Sequence, residues 1–509
     1  MSKIINSNFI KKNFFRNRFK KKKIVLCHGV YDLFHFGHLK HLEYAKSKGD
    51  ILIVSVTADE HVNKGFGKPI FKDQIRAELI SKLIFVDYVI ISNQKNAVQI
   101  IHEIKPNYYC KGIEYKDKKK DITKQIYEEE KELRKYGGKI IYSNEIVYSS
   151  SQLLNENFNI FNKKQKNFIS ILKKDLKTNK INKVLSKINF LKTMVIGEII
   201  TDEYIFADAI GKSGKEPVLI MKPNKTEKYF GGAASIVKII DNFSNKKNYK
   251  TTLLSYIGND KKILNSLKKY LGNKINLKLI YKKNSPTINK IRFLDSVNNT
   301  KIFGLYNYND EKLDEKEEAN LIKKYKSEVK KNHTILVCDY GHGLISNKVA
   351  KIISKNHKNI FLNAQINASN VGYQNIQKYN NIKCLIINEK ELRYELRDSE
   401  NNVKYLIKKI FDRRKYKTVL VTRGSDGILY FDGKNRFYEC PAFADSVLDR
   451  VGAGDVLLSF FAPLMSNNVN IYLALFISSI AASIKLKNFA NKEIISLQDV
   501  VKHAEHLLK

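Results

Sequence analysis

Between Ile24 and Tyr142, short apolar runs alternate with stretches whose apolar residues recur at helical spacing, and this alternation constrains the fold more than any other feature of the chain. Ile24–Cys27 and Ile51–Thr57 read as buried strands, and Asp87–Ile91, Tyr108–Lys111 and Lys139–Tyr142 as three more. Helices are expected from Leu39 to Lys46 and over Gln74–Ile84, Ala97–Ile104 and Ile122–Tyr136. Strand and helix in strict turn predict a parallel, doubly wound sheet, which binds ligands beyond the carboxyl ends of its strands. His35 and His38 fall there after the first strand, Lys64 after the second, Lys111 after the fourth, and Ser149, Ser150 and Ser151 after the fifth.

The first of these ends is the richest. Ile24 to Ala45 reads IVLCHGVYDLFHFGHLKHLEYA, in which His28 and Gly29 break the strand and Leu39, Leu42 and Ala45 open the helix. In His35-Phe36-Gly37-His38 the glycine lets backbone approach a ligand, the nascent helix offers free N–H groups to an anion, and two imidazoles can bond phosphate oxygens. With Asp32 just upstream, this stretch resembles the nucleotidyltransferase superfamily that carries an HxGH signature. The resemblance runs to about residue 155 through Lys64-Gly65, Lys68-Pro69, Arg76, Lys111-Gly112 before Glu114 and Tyr115, and the three serines. It implies attack of a sugar-phosphate or alditol-phosphate oxygen on the α-phosphorus of a nucleoside triphosphate, with release of pyrophosphate. His35, His38, Lys64 and Arg76 would stabilise charge on the phosphates, while Gly29, Asp32, Gly37, Lys111, Gly112, Ser149, Ser150 and Ser151 would contact the nucleotide, bridged by Mg2+. Serines stand where the ADP-heptose branch has Ser-Thr-Thr, which leaves ATP and CTP both open as the nucleotide.

The second half opens with a strand at Thr193 that runs through a glycine to Asp202. Gly231-Gly232-Ala233-Ala234, Thr287–Phe293, Val337–Gly343, Asn388–Glu391 and Val421–Gly427 follow, and then Asp449-Arg450-Val451-Gly452-Ala453-Gly454-Asp455. In the last string, glycines at a loop-to-helix junction bare N–H groups for a phosphate, and the carboxylate that follows can take the proton of an attacking hydroxyl. Together these motifs resemble the ribokinase-type (PfkB) sugar kinases over residues 193 to 509, an α/β fold with a small lid sheet. The resemblance makes Asp455 the catalytic base and Gly452, Ala453 and Gly454 the anion hole. Thr422, Gly424 and Gly427 would line ATP, Asn388 and Glu391 would hold magnesium through water, and Asp202, Gly231 and Gly232 would bind sugar hydroxyls. Lys290 and Arg292 match a strand of the heptose kinase branch and would meet a second substrate phosphate. Ser235, His342 and Asn363-Ala364-Gln365 depart from the family pattern, all on the substrate side.

A chain of 509 residues holds two or three domains. The expected division is a frayed basic leader over 1–23, a cytidylyltransferase-like domain over 24–155, a helical linker over 156–190 and a kinase domain over 191–509. Lysine and arginine outnumber acids by 91 to 51, but they are spread along the whole length rather than gathered into the face that nucleic-acid binding needs. Such a field suits phosphorylated substrates, and the reading of a basic nucleic-acid-binding protein on enzyme folds is the remote alternative. Cys27, Cys110, Cys338, Cys384 and Cys440 are scattered without a CxxC pair and read as buried thiols of a reducing cytoplasm, not as zinc ligands. Ile471–Ile484, the most apolar stretch, is too short to span a bilayer. Both halves resemble those of the bifunctional ADP-heptose enzymes in reversed order. The resemblance implies a cytoplasmic enzyme that phosphorylates a sugar or sugar phosphate and activates a sugar 1-phosphate for surface polysaccharide, or makes a CDP-alditol or CDP-sugar. Where the kinase product carries two phosphates, the resemblance implies a separate phosphatase between the two steps, and pairing through the lid is the expected oligomer.

Overall fold

The computed structural model describes residues 3–6, 22–62, 68–94, 96–116, 125–144, 161–175, 192–243, 251–309, 311–366, 370, 375–414, 416–444 and 446–508. Lys64, Gly65, Asn367 and Ser149–Ser151 lie outside them. The chain forms two compact units, residues 1–166 with 501–509, and residues 167–500.

The first unit is built on a six-stranded, all-parallel sheet of β1 (Ile4–Ile5), β2 (Ile24–Gly29), β3 (Ile51–Thr57), β4 (Tyr88–Ser92), β5 (Tyr108–Gly112) and β6 (Lys139–Ser143), in the order β1-β4-β3-β2-β5-β6. Alternate side chains of each strand serve opposite faces. Val25, Cys27, Val54 and Cys110 pack with Leu42 and Ala45 of α1 (Phe36–Ser47) and Ala77 and Ile80 of α2 (Asp73–Ser81). On the other face, Ile24, Leu26, Ile53 and Tyr109 meet Ile100, Ile101 and Ile104 of α3 (Val98–Ile104) and Leu133 of α4 (Gln125–Arg134). The strand order reverses between β2 and β5, and that crevice is where a doubly wound sheet holds its ligand. Within the leader, Ile4 and Ile5 pair in parallel with Val89 and Ile90, because a free edge beside β4 accepts even two residues whose run is too short to show a period.

The second unit carries a nine-stranded sheet, in which β7 (Thr193–Gly197), β10 (Thr252–Ile257), β11 (Asn276–Tyr281), β14 (Thr334–Asp339), β15 (Ile360–Ala364), β16 (Cys384–Asn388) and β17 (Thr418–Thr422) run parallel. Two antiparallel strands, β18 (Ile428–Phe431) and β19 (Phe437–Cys440), finish one edge. A separate four-stranded sheet, ordered β13-β12-β8-β9, comprises β8 (Ile199–Lys212), β9 (Leu219–Gly232), β12 (Asn289–Asp295) and β13 (Lys301–Asn307), and is the expected lid. The predicted linker contributes a helix, α5 (Lys163–Asp175), whose Phe168 packs on Phe443, Tyr472 and Phe476. The second compact unit accordingly includes this helix from Asn167 onward. Residues 501–509 cluster with the first unit. Among the described residues no helix is long and apolar enough to cross a membrane.

Candidate active sites

In the first unit the chain leaves β2 through two non-glycine residues with positive φ, Tyr31 at 53° and Leu33 at 46°, a costly backbone that the surrounding packing imposes. This turn delivers His35 as the N-cap of α1, its Nδ1 accepting from the Gly37 N–H at 3.1 Å. One helical turn on, the His38 ring stacks on His35 with centroids 3.9 Å apart, and Tyr31 and Phe34 flank it. The two imidazoles thus share the positive end of a twelve-residue helix. Lys111, at the carboxyl end of β5, is ion-paired to Glu129 at 3.1 Å and sits between the rings of Tyr109 and Tyr115. Burial first, and then the Lys111 charge, push His28 and His41 down to about 4, so both imidazoles are neutral at physiological pH.

Two predicted phosphate or nucleotide contacts have other work in this structure. Arg76 is buried, with Nε on the Phe71 carbonyl, Nη1 on Val30 O, and Nη2 on Thr57 O and the Asp59 carboxylate. A guanidinium with four partners and no exposed face holds the loops around the crevice instead of reaching into it. Asp32, also buried, accepts from the N–H groups of Ile70 and Phe71 and fastens the same segment. Gly29 ends β2 and Gly112 ends β5, so both stay at the crevice mouth.

The second unit gathers its residues around one cavity of about 360 Å³. Asp202, Gly232, Lys290, Arg292, Asn388, Glu391, Thr422, Gly452, Gly454 and Asp455 line it, whereas Gly231, Gly424, Gly427 and Ala453 lie outside the lining. Gly452 has φ +82° and caps α6 (Ala453–Ser466), a conformation glycine adopts without strain. Asp455 falls in that helix's first turn. Its Oδ1 accepts from the Tyr340 hydroxyl at 2.9 Å and, more weakly, from Gln365 at 3.5 Å. Both contacts fall on one oxygen, which leaves Oδ2 for an incoming proton. Burial raises Asp455 to about 6, and the Tyr340 bond restrains the rise.

Facing Asp455, Arg292 pairs with Asp202 at 2.6 Å, and burial lowers Lys290 from its ordinary value. Gly231 permits the Asp202 approach, since a Cβ there would lie 2.3 Å from its carboxylate. Glu198, fully buried, accepts the N–H groups of Tyr340, His342 and Leu344, and burial with the nearby Asp339 charge raises it to about 7. That carboxylate places Tyr340 against the base. On the opposite wall, Asn388 and Glu391 form a reciprocal capping box at the start of α7 (Glu389–Leu396), and burial lifts Glu391 to about 7. An amide and a carboxylate, hard oxygen donors already engaged by backbone, fit a hydrated magnesium ion held through water.

The motifs gave no role to Tyr340, which lies within Val337–Gly343, or to Glu198 and Lys485. Lys485 is buried in the apolar helix Ile471–Leu486, donates to Ala490 O and lies against Gly452. A lone lysine in an otherwise apolar helix was the available signal. The departures also resolve: the His342 ring is fully buried beside Tyr308 and has no hydrogen-bond partner among the described residues.

The model of the pfkB family carbohydrate kinases matches residues 191–490, and the cytidylyltransferase-like model matches residues 26–173. Among curated proteins, Bifunctional protein HldE of Campylobacter jejuni subsp. doylei is 42% identical over 101 residues, 19% of this chain and 22% of that protein. The Helicobacter pylori protein of the same name is 36% identical over 119 residues, 23% of this chain and 25% of that one. The chain therefore spans about a quarter of the length of the curated relatives it matches. Among solved structures, phosphofructokinase-2 from Escherichia coli aligns with a TM-score of 0.51 at 16% identity, covering 63% of this chain and all of that one, which shows a common fold for the second unit.

Proposed function

The chain belongs to the pfkB family of carbohydrate kinases, and from that premise we propose a bifunctional sugar-activating enzyme whose second unit phosphorylates a sugar or sugar phosphate and whose first unit transfers a nucleotidyl group to a sugar 1-phosphate. One observation carries the kinase half: Asp455, the glycine-capped helix start and the Lys290–Arg292 pair face a single cavity. At pH 7 a carboxyl near 6 is about 90% ionised, so Asp455 Oδ2 can take the acceptor hydroxyl's proton as that oxygen bonds to the γ-phosphorus of ATP and ADP leaves. The N–H groups of Gly452 and Gly454, which line the cavity, stabilise the transferring phosphoryl group. Asn388 and Glu391 would hold magnesium through water, and the ion would supply neutralising charge for the phosphates. Lys290 and Arg292 supply the cationic wall for a phosphate already on the acceptor.

In the first unit His35 and His38 contact the phosphates of the incoming nucleotide at the start of α1, with Lys111 beside them at the carboxyl end of β5. Nucleotidyl transfer makes few covalent demands, so this positive end and its oriented imidazoles account for the catalysis we assign to it. ADP-heptose chemistry is the reading that joins the two units, supported by their pairing in one chain and by the HldE relatives of the first. A kinase product bearing two phosphates must lose one before nucleotidyl transfer, which calls for a separate phosphatase. Such a pathway, fed by ATP and sugar phosphates, belongs to the cytoplasm. Exposed Ile302, Phe303, Leu305 and Tyr306 on β13 favour a homodimer covered at the lid, which light scattering would measure.

The test is a two-channel assay of the full chain, reading ADP formation with sugar and heptose 7-phosphate acceptors and pyrophosphate release with heptose 1-phosphates and ATP or CTP. Asp455→Asn should abolish only the first signal and His38→Ala only the second. Release with CTP alone moves the first unit to CDP-linked products, and loss of both signals in either variant defeats the assignment of one reaction to each unit.

A further inference from the structure

The parallel register of β2 and β5 sets Cys27 directly beside Cys110 at the point where the strand order of the first unit reverses. Both thiols are buried, at 0% and 1% exposure. From the helix above, His41 joins them, so that one nitrogen of its ring and the two Sγ atoms all lie within 4.8 Å of one another. Among the described residues this is the only such cluster of histidine, cysteine and acidic ligands. The second half of the chain holds three further buried thiols, none with that company.

We propose that Cys27, Cys110 and His41 form a binding site for a thiophilic divalent cation, zinc, which ties α1 to the two central strands of the first unit. Three features favour zinc over a disulfide or an idle core pair. Tetrahedral zinc with two sulfurs and one nitrogen spaces its ligand atoms about 3.5–3.8 Å apart, so the cluster needs to contract by no more than about 1.3 Å. Two thiolates and a neutral imidazole exactly cancel a 2+ charge, and a neutral site is what a buried position tolerates, whereas a monovalent copper ion leaves a net negative charge there. The outer contact is also in place. Ser143 Oγ lies 2.7 Å from His41 Nδ1, the kind of outer contact that orients a ligating imidazole; with the ring proton on Nδ1, the Nε2 lone pair is left for a metal.

Binding is balanced in protons and electrons: two thiols release two protons, two sulfur–zinc bonds and one nitrogen–zinc bond form, and nothing is oxidised. His41, half-buried, is the side from which an ion enters and where a fourth ligand from solvent completes the tetrahedron. The site stands on the geometry of the first unit and is independent of the reaction assigned to it. Its consequence is mechanical, because the clamped helix is the one whose start presents His35 and His38.

The experiment uses reduced, chelator-treated full-length protein titrated with Co2+ and then Zn2+. We expect one equivalent of Co2+ to give an intense thiolate-to-metal charge-transfer band with tetrahedral d–d bands, bleached by one equivalent of Zn2+. Cys27→Ser and Cys110→Ser should each remove the charge-transfer band, and Ser143→Ala should weaken affinity about 10–100-fold while keeping it. Cys338→Ser, in the other unit, should leave the spectrum unchanged, and circular dichroism of each variant separates loss of ligand from loss of fold. A band that persists in Cys27→Ser or Cys110→Ser, an octahedral cobalt spectrum, or a folded reduced protein that takes up no metal overturns the proposal. So does a Cys27–Cys110 disulfide that forms in air while the reduced protein binds nothing.

Discussion

Tyr340→Phe deletes one hydroxyl and leaves the ring that fills its buried place. The lost bond is the 2.9 Å donation to Asp455 Oδ1, the contact that restrains a carboxyl which burial has pushed to about 6. A hydrogen bond to a charged group contributes about 1.5–3 kcal/mol, and one pKa unit corresponds to about 1.4 kcal/mol, so the substitution should raise Asp455 by about 1–2 units. The base works ionised. Its acidic limb in kcat/KM should therefore move from near 6 to about 7–8, and activity at pH 7 should fall about 2- to 10-fold while recovering at higher pH. The assay is ADP formation by the full chain from about pH 5 to pH 9, with pyrophosphate release as an internal control that should not move. An unshifted limb, or a loss of the same size at every pH, refutes the claim that Tyr340 acts by holding Asp455 ionised.

Asp455→Asn should abolish phosphoryl transfer and stabilise the second unit. The native carboxyl lies at about 6 against an ordinary 3.8, so its contribution to stability declines as pH rises through that window and the cost is complete above it. The gain at pH 7 is at most about 3 kcal/mol and should vanish near pH 4, read as a difference in thermal midpoints. Arg292→Gln should raise KM for a phosphorylated acceptor about 10–100-fold and leave an unphosphorylated one little changed, a comparison that steady-state kinetics makes directly. Arg76→Ala strips the donors from Val30, Thr57 and Phe71 and leaves the Asp59 carboxylate unpaired, which should cost the first unit about 3–5 kcal/mol. Calorimetry should then show an early transition for that unit while ADP formation survives at low temperature.

What the amino-acid sequence determined by itself is local. Apolar runs at Ile24, Ile51, Tyr88, Tyr108 and Lys139 became strands within a residue or two of their expected bounds, because a buried parallel strand announces itself by composition over a few residues. Turn chemistry was equally legible: His35 caps α1, and Gly452 opens the helix that carries Asp455. A phosphate-binding loop is a short-range device, so its motif travels whole. Tertiary structure decided what depends on partners far away in the chain. Arg76 and Asp32 had the right types and places for phosphate contacts, yet their partners at Val30, Thr57 and Ile70–Phe71 consume them. Tyr340 and Glu198 matter only because β14 and β7 are neighbours, which brings 142 residues of separation down to a hydrogen bond. Cys27 and Cys110 carry no spacing that marks a site. Only the crossover that makes β5 the neighbour of β2 sets the two sulfurs side by side, since pairing in a parallel sheet is dictated by how helices cover its faces and not by distance along the chain.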